Sequence, residues 1–430
     1  MTSFILRRVE VEGNEVDVSV VDGVVAEVGV GVAGAGDEID GEGGALIPGL
    51  HDHHLHLFAM AAADDSVDVT GDALAALWAA DATLPPGAWI RAVGWHESAG
   101  WELDRRTLDH AVSRRPVRVQ HSSGALWVLN TAALELVGLA DHETGRLFGM
   151  DVFLRERLEG TPPDLRPVSR ALASAGITAV TDATPYERIE DAARLQAGMT
   201  QPVRVMGAPG LDVSSLALVG PAKIVVADHD PPSIDALVAR VIEARRHDRN
   251  VAFHCASRVA LVLTLSALEQ AGARAGDRIE HGAVIPDDAV PTLRRLGLTV
   301  VTQPAFIRAR GDRYLAEVDV DDRPFLWRCG SLLRAGVAVL GSSDGPYGPA
   351  DPWRAMRTAV DRRTASGTVL GPDDAVTPEQ ALALYTAARR VAPRTPADLC
   401  LLRVPLAEAL AALDADAVRL TVIGGDIVGT

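Results

Sequence analysis

The stretch Ala45-Leu-Ile-Pro-Gly-Leu-His-Asp-His-His-Leu-His56 passes from apolar residues into four histidines and one aspartate. An apolar run that leads straight into such side chains predicts a strand with a functional end rather than a polyhistidine surface loop. Alternate side chains of a strand share a face, so Asp52, His54 and His56 point one way and His51, His53 and Leu55 the other. Two imidazoles at i and i+2 can reach one cation, and imidazole is a common ligand for zinc and other first-row metals.

Outward from this stretch, the composition narrows the choices. A chain of 430 residues suits one large domain with a smaller one. It carries 41 basic and 58 acidic side chains, a net charge of −17, which argues against nucleic acid or an anionic membrane as the main partner. No apolar run reaches membrane-spanning length. The start, Met1-Thr-Ser-Phe-Ile-Leu-Arg-Arg, lacks the features of a signal peptide. Cys255, Cys329 and Cys400 are far apart and form no zinc-type pair, so a reducing cytoplasm is expected, and any metal would be held by histidine and carboxylate. Lys223 is the single lysine of the chain. Lysine can lose its proton when buried and arginine in effect cannot, so Lys223 is expected to do work that arginine cannot.

Residues 4–45 read as short strands: Phe4-Ile-Leu, Glu10-Val-Glu, 16–21 and 24–28, with turns at Gly13-Asn14 and Asp22-Gly23. The C-terminus supplies similar pieces at 398–402 and 418–428, the latter folded at Gly424-Gly425. Residues 1–47 and 391–430 are therefore expected to meet in one small β-sandwich. Between them, over 48–390, β-rich runs alternate with helical ones. Seven candidates follow the first strand, at 177–182, 203–206, 223–227, 251–254, 278–281, 299–303 and 337–344. Eight strands with intervening helices, such as 234–246 and 259–271, predict an α/β fold of the (β/α)8 TIM-barrel type. Thr377-Pro-Glu-Gln380 predicts a capped helix running to about Arg390. Residues 58–170 exceed one connection and read as an inserted subdomain, with helices at 73–82 and 131–137 and strands at 89–93 and 117–120.

Barrel enzymes place their chemistry at the carboxyl ends of strands. His54, His56, Lys223, His254, His281 and Asp344 all fall at strand termini. Pro48-Gly-Leu-His-Asp-His-His-Leu-His56, Arg115-Pro-Val, Asn130-Thr-Ala-Ala-Leu-Glu-Leu-Val-Gly, Arg278-Ile-Glu-His-Gly, Gly341-Ser-Ser-Asp, Tyr385-Thr and Ala397-Asp-Leu together resemble the amidohydrolase superfamily. Within it they match the amidohydrolase family 3 branch of N-substituted formamide deformylase-like enzymes.

The resemblance implies that His54, His56 and Asp344 hold one divalent metal, zinc or another transition ion, and that His254 and His281 hold a second. Lys223, carboxylated by carbon dioxide, would bridge them as a carbamate; unmodified, it would leave a site with one ion. The implied activity is hydrolysis of a non-peptide carbon–nitrogen bond (N-acyl, N-formyl, cyclic amide or ureido) in a small molecule by a metal-activated water. Asp344 would move the proton, and the metal with His281 would stabilise the developing charge. Two rivals stand beside this: an amino-heterocycle deaminase with one metal, and an inactive scaffold on the same fold. A homodimer is compatible with the sequence. The chain departs from the family at His254-Cys-Ala-Ser-Arg258, where an acid becomes arginine, at Ala125, where a histidine is usual, and at Asp228-His-Asp230 after Lys223. Asp52 is a candidate to orient ligands or to cap a helix or loop, Arg258 to clamp a carboxylate or to stand exposed at a helix start, and His229 to serve as an extra ligand or proton shuttle or as an ordinary loop histidine.

Overall fold

The run from Ala45 to His56 is divided between two sheets. Leu46–Pro48 and Leu50–Leu55 are separate strands. Gly49 stands at the break, where a Cβ would come within 2.1 Å of the Thr178 side chain, an approach that glycine alone permits. The imidazoles do not follow the end of the strand, as the sequence suggests; His51, His53 and His54 lie inside it and His56 just past it. The structure, a computed structural model, describes residues 3–34, 36–97, 102–158, 162–387 and 389–429. It divides into two compact units, 1–57 with 165–430, and 58–164.

In the first unit, Leu50–Leu55 runs parallel to Ile177–Asp182, which runs parallel to Val203–Val205. A second parallel sheet places Ala222–Val225, Val251–Cys255, Arg278–His281, Thr299–Thr302 and Ala338–Gly341 side by side in chain order. These eight strands are those the sequence proposes, with small displacements at their ends. Backbone hydrogen bonds also join the two sheets. On one side the Lys223 amide donates to the Gly207 carbonyl at 2.8 Å, and Val205 bridges Val219 in parallel. On the other, the Asp344 amide donates to the His54 carbonyl and the His56 amide to the Gly345 carbonyl, both at 2.8 Å.

The helices between strands form where the apolar spacing predicts them. Ile234–Arg246 buries Leu237, Val241 and Ala244, and Arg258–Ala271 buries Leu261, Leu265 and Leu268, in each case one stripe of an otherwise polar or mixed helix. Ser233 and Ser257 cap them, each accepting an amide from the first turn. Pro378–Thr386 has the expected capping box between Thr377 and Gln380. It stops before Arg390 because Ala387 turns left-handed, with φ 50°, and closes the helix there.

The chain termini supply two four-stranded sheets. One holds Ser3–Val11, Asn14–Val21, Val24–Gly29 and Asp37–Asp40; the other holds Leu46–Pro48, Leu399–Leu402, Val418–Ile423 and Asp426–Gly429. They share one apolar core, in which Phe4, Leu6, Val18 and Val20 meet Leu399, Leu401 and Val422. The first two runs of the sequence reading are a single strand. The register slips between Leu6 and Val9, where Arg8 takes φ 49°, so a bulge carries pairing past the break in alternation. Gly424 and Gly425, at φ 58° and 88°, form the expected tight turn.

In the second unit, Ile90–Trp95 and Val117–His121 are parallel neighbours in a five-stranded sheet. Ala73–Thr83 and Arg105–Ala111 supply Leu77 and Leu108 to a core with Ile90, Trp95 and Val117.

His51 and His53 stack at 4.0 Å between ring centroids, and His51 Nε2 bonds Thr181 Oγ1 at 2.9 Å. Burial, helped by Arg389, Arg278 and Arg204, pushes the His51 pKa down to about 3 from its ordinary 6.5. The fold therefore holds a neutral ring where the unfolded chain, below pH 6.5, binds a proton. Stability from this residue is full above pH 6.5 and is lost as pH falls toward 3, at about 1.4 kcal/mol per pH unit. His51→Gln is expected to flatten the dependence of unfolding free energy on pH by about one proton over that window. Denaturant titrations of both proteins at several pH values check this; parallel curves would contradict it.

Candidate metal centre

His54, His281 and Asp344 each place a donor atom within 4.8 Å of the other two. His54 Nε2 and His56 Nε2 lie 3.5 and 3.4 Å from Asp344 Oδ1. Lys223 Nζ lies 3.2 Å from His54 Nε2, and His254 Nδ1 lies 3.0 Å from His281 Nε2. Six side chains that the sequence places at strand termini are thus linked donor to donor. Lys223, His54, His281 and Asp344 are all buried.

Their outer faces decide what the inner ones can do. His54 Nδ1 bonds the Glu280 carboxylate, which can only accept, so Nδ1 carries the proton and Nε2 presents a lone pair. His281 Nδ1 bonds Gln303 Oε1 at 3.0 Å, while Gln303 Nε2 donates to Ser342 Oγ at 2.8 Å. The same tautomer follows for His281. His56 Nδ1 bonds Thr184 Oγ1 at 2.8 Å, and its ring meets Tyr347 edge-on at 5.6 Å.

Burial pushes His54 and His281 well below the ordinary histidine range and His254 down to about 3. Neutral imidazoles are the form that binds a cation; the His54 Nε2 lone pair is turned inward, while His281 Nε2 accepts the proton of His254 Nδ1. Burial likewise lowers the Lys223 pKa, and the carboxylates of Glu280 and Asp344 oppose that shift. The donor set of neutral imidazoles, a carboxylate and one lysine fits a divalent transition metal.

The backbone directs two of these donors. His281 and Asp344 take φ 66° and 56°, a left-handed conformation that costs a residue with a side chain about 1–2 kcal/mol. At His281 this breaks strand alternation, so that Glu280 and its neighbour His281 both reach the same cluster.

The remaining candidates sit differently. Asp52 Oδ1 accepts the amides of His54 at 3.2 Å and Ser343 at 3.1 Å, so it holds backbone beside the ligands instead of an imidazole. Its burial raises its pKa to about 6. Arg258 is turned to an ion pair with Asp322. His229 lies exposed in the loop after Ala222–Val225. Sequence reasoning gave no role to Glu280, Gln303, Thr184 or Arg278. Arg278 and Glu280 stood in a quoted motif, yet nothing in the order of residues says which histidine they face.

In the second unit, His96, Glu97 and His121 also bring donors within 4.8 Å of one another. There His121 Nδ1 accepts the Ser123 amide at 3.1 Å, which leaves the ring proton on Nε2, donated to Glu97 Oε2 at 2.8 Å. Arg146 takes the other Glu97 oxygen at 3.2 Å. That tautomer turns a proton, not a lone pair, toward the acid, and the group is a hydrogen-bonded ion-pair network.

Comparison with known proteins identifies the family of the chain. Residues 37–429 match the model of the amidohydrolase family, and the chain belongs to that family. It is accordingly a hydrolase acting on carbon–nitrogen bonds. It is similar to an N-substituted formamide deformylase of Arthrobacter pascens, 26% identical over 451 residues that cover 85% of this chain and 82% of the relative. It is also similar to the putative amidohydrolase YtcJ of Bacillus subtilis strain 168, 24% identical with 81% and 80% covered. Among solved structures, a metal-dependent hydrolase from Pyrococcus furiosus superposes with a TM-score of 0.72 at 20% identity, over 93% of this chain and 99% of that one.

Asp52→Ala removes the acceptor of two buried amides. An amide left without a partner costs about 1–3 kcal/mol, so unfolding free energy is expected to drop by about that much for each, while Asp52→Asn, which keeps an oxygen there, loses far less. Equal stability of Asp52→Ala and the parent protein in denaturant would show that this aspartate does not hold the two segments.

Proposed function

We propose that this chain is a cytoplasmic, metal-dependent hydrolase that cleaves a non-peptide carbon–nitrogen bond in a small molecule. The class of substrate is an N-acyl, N-formyl, cyclic amide or ureido compound. The observation that carries this reading is the inward convergence of His54, His56, Lys223, His254, His281 and Asp344, with the outer nitrogens of His54 and His281 tied to acceptors. The N-formyl choice is supported by the deformylase relative at 26% identity. In this reading the eight parallel strands close into a (β/α)8 barrel through the hydrogen bonds at Lys223 and Asp344, residues 1–47 and 391–430 form a β-sandwich beside it, and the segment after residue 57 is an insertion.

His54, His56 and Asp344 would hold one ion, zinc being the simplest choice, and His254 and His281 a second. Such an ion supplies an activated water near neutral pH and polarises the scissile carbonyl. Asp344 takes the proton of the attacking water and passes it to the leaving nitrogen. Lys223 takes up carbon dioxide: the neutral amine that burial favours adds to the carbon and loses a proton, giving a carbamate with two oxygens in place of one nitrogen.

Protein purified without added metal is expected to carry bound zinc or a similar ion, and chelation to abolish turnover of N-formyl or N-acyl amines. Lys223→Arg keeps a positive charge but forms no carbamate, and is expected to lose one equivalent of metal and most activity. Asp344→Asn is expected to remain folded and to lose roughly 10²–10⁴-fold in rate. Metal-free protein that stays inert after reconstitution would instead support a scaffold, and full metal content in Lys223→Arg would remove the carbamate from the account.

A further inference from the structure

We propose that Glu280 is a positioning residue that commits His54 to one tautomer and makes its inner nitrogen the strongest imidazole donor of the centre. The inference rests on the metal-hydrolase reading and extends it to a residue outside the ligand set.

The Glu280 carboxylate and the His54 ring are both fully buried. A buried carboxylate is costly unless its charge and lone pairs are matched. Arg278 matches them with a two-pronged contact, Nε to Oε1 at 2.7 Å and Nη2 to Oε2 at 3.0 Å. Arg278 Nη2 also donates to the His53 carbonyl at 2.7 Å, so the same guanidinium fixes the backbone immediately before His54. The carboxylate is therefore held in orientation from behind and presents Oε2 to His54 Nδ1. Acceptance of that proton leaves Nε2 as a lone pair, facing Lys223 Nζ and Asp344 Oδ1.

His281 provides the internal comparison. Its outer nitrogen is held in the same sense, but by the neutral amide of Gln303. A carboxylate behind an imidazole raises its basicity as a ligand more than an amide does, and such partners commonly contribute 10–100-fold to metal affinity. The two strand-end histidines thus share a tautomer and differ in donor strength. Glu280→Gln would make His54 resemble His281.

Two measurements test this. The first is ¹⁵N nuclear magnetic resonance of histidine-labelled, metal-free protein, with the His54 signal assigned by its loss in His54→Gln. A proton on Nδ1 is expected, and a proton on Nε2 overturns the proposal. The second is zinc affinity by competition with a chromophoric chelator, together with the melting temperature of the metal-free forms. Glu280→Gln is expected to bind zinc 10–100-fold more weakly; its metal-free form is expected to melt lower, because buried Arg278 loses its counter-charge, so affinity is read well below that temperature. Undiminished affinity overturns the proposal. If Glu280→Gln fails to fold, the tautomer of the parent protein still decides. If the parent binds no metal, the functional reading falls, while the resonance experiment still reports on Glu280.

Discussion

The candidate site depends on three backbone amides that join the start of the parallel strands to their end. Asp344 donates to the His54 carbonyl, His56 donates to the Gly345 carbonyl, and Ser343 donates to the Asp52 carboxylate. Asp52 and Ser343 are 291 positions apart in the chain. Each contact is an ordinary hydrogen bond, worth about 1 kcal/mol net, yet together they place the first two histidines against the aspartate. The cost of closing so long a loop grows only logarithmically with its length. The intervening strands and helices have already ordered most of the chain, so the contacts close a nearly formed structure.

Desolvation then selects protonation states. Four imidazoles, a lysine and three carboxylates lie in or beside one mostly buried cluster. Burial drives His54, His254 and His281 neutral and lowers the lysine pKa. The buried charge of Glu280 is balanced by Arg278. A cation entering this space meets lone pairs and a carboxylate already turned inward, which is the preorganisation that makes a metal site selective and firm.

Much of this was legible in the sequence, because it is carried by local rules. Apolar runs of four to six residues gave the parallel strands, serine and threonine marked helix starts, and Gly424-Gly425 marked a hairpin. The lone lysine and the histidines in or near strand ends picked out residues that the fold gathers into the candidate site. What was not legible depends on broken rules or on side chains facing each other across the fold. Strict alternation puts Glu280 and His281 on opposite faces, whereas the left-handed backbone at His281 brings both to one cluster. Gly49 looks like part of one strand but is a close contact with Thr178 that splits it. Arg8 conceals a bulge that makes two apparent strands one. Arg258, which the sequence offers as a carboxylate clamp or a helix-start arginine, opens a helix and is turned to Asp322, a partner 64 positions away that no local pattern indicates.

The most direct test of the central claim is a crystal of the purified protein, with diffraction recorded on both sides of the zinc absorption edge. The account predicts an anomalous peak about 2.0–2.2 Å from His54 Nε2, His56 Nε2 and an oxygen of Asp344. A second peak by His254 Nδ1 and His281 Nε2 would accompany extra density on the Lys223 amine. A map without a peak there, from crystals of active protein grown with zinc, would contradict it.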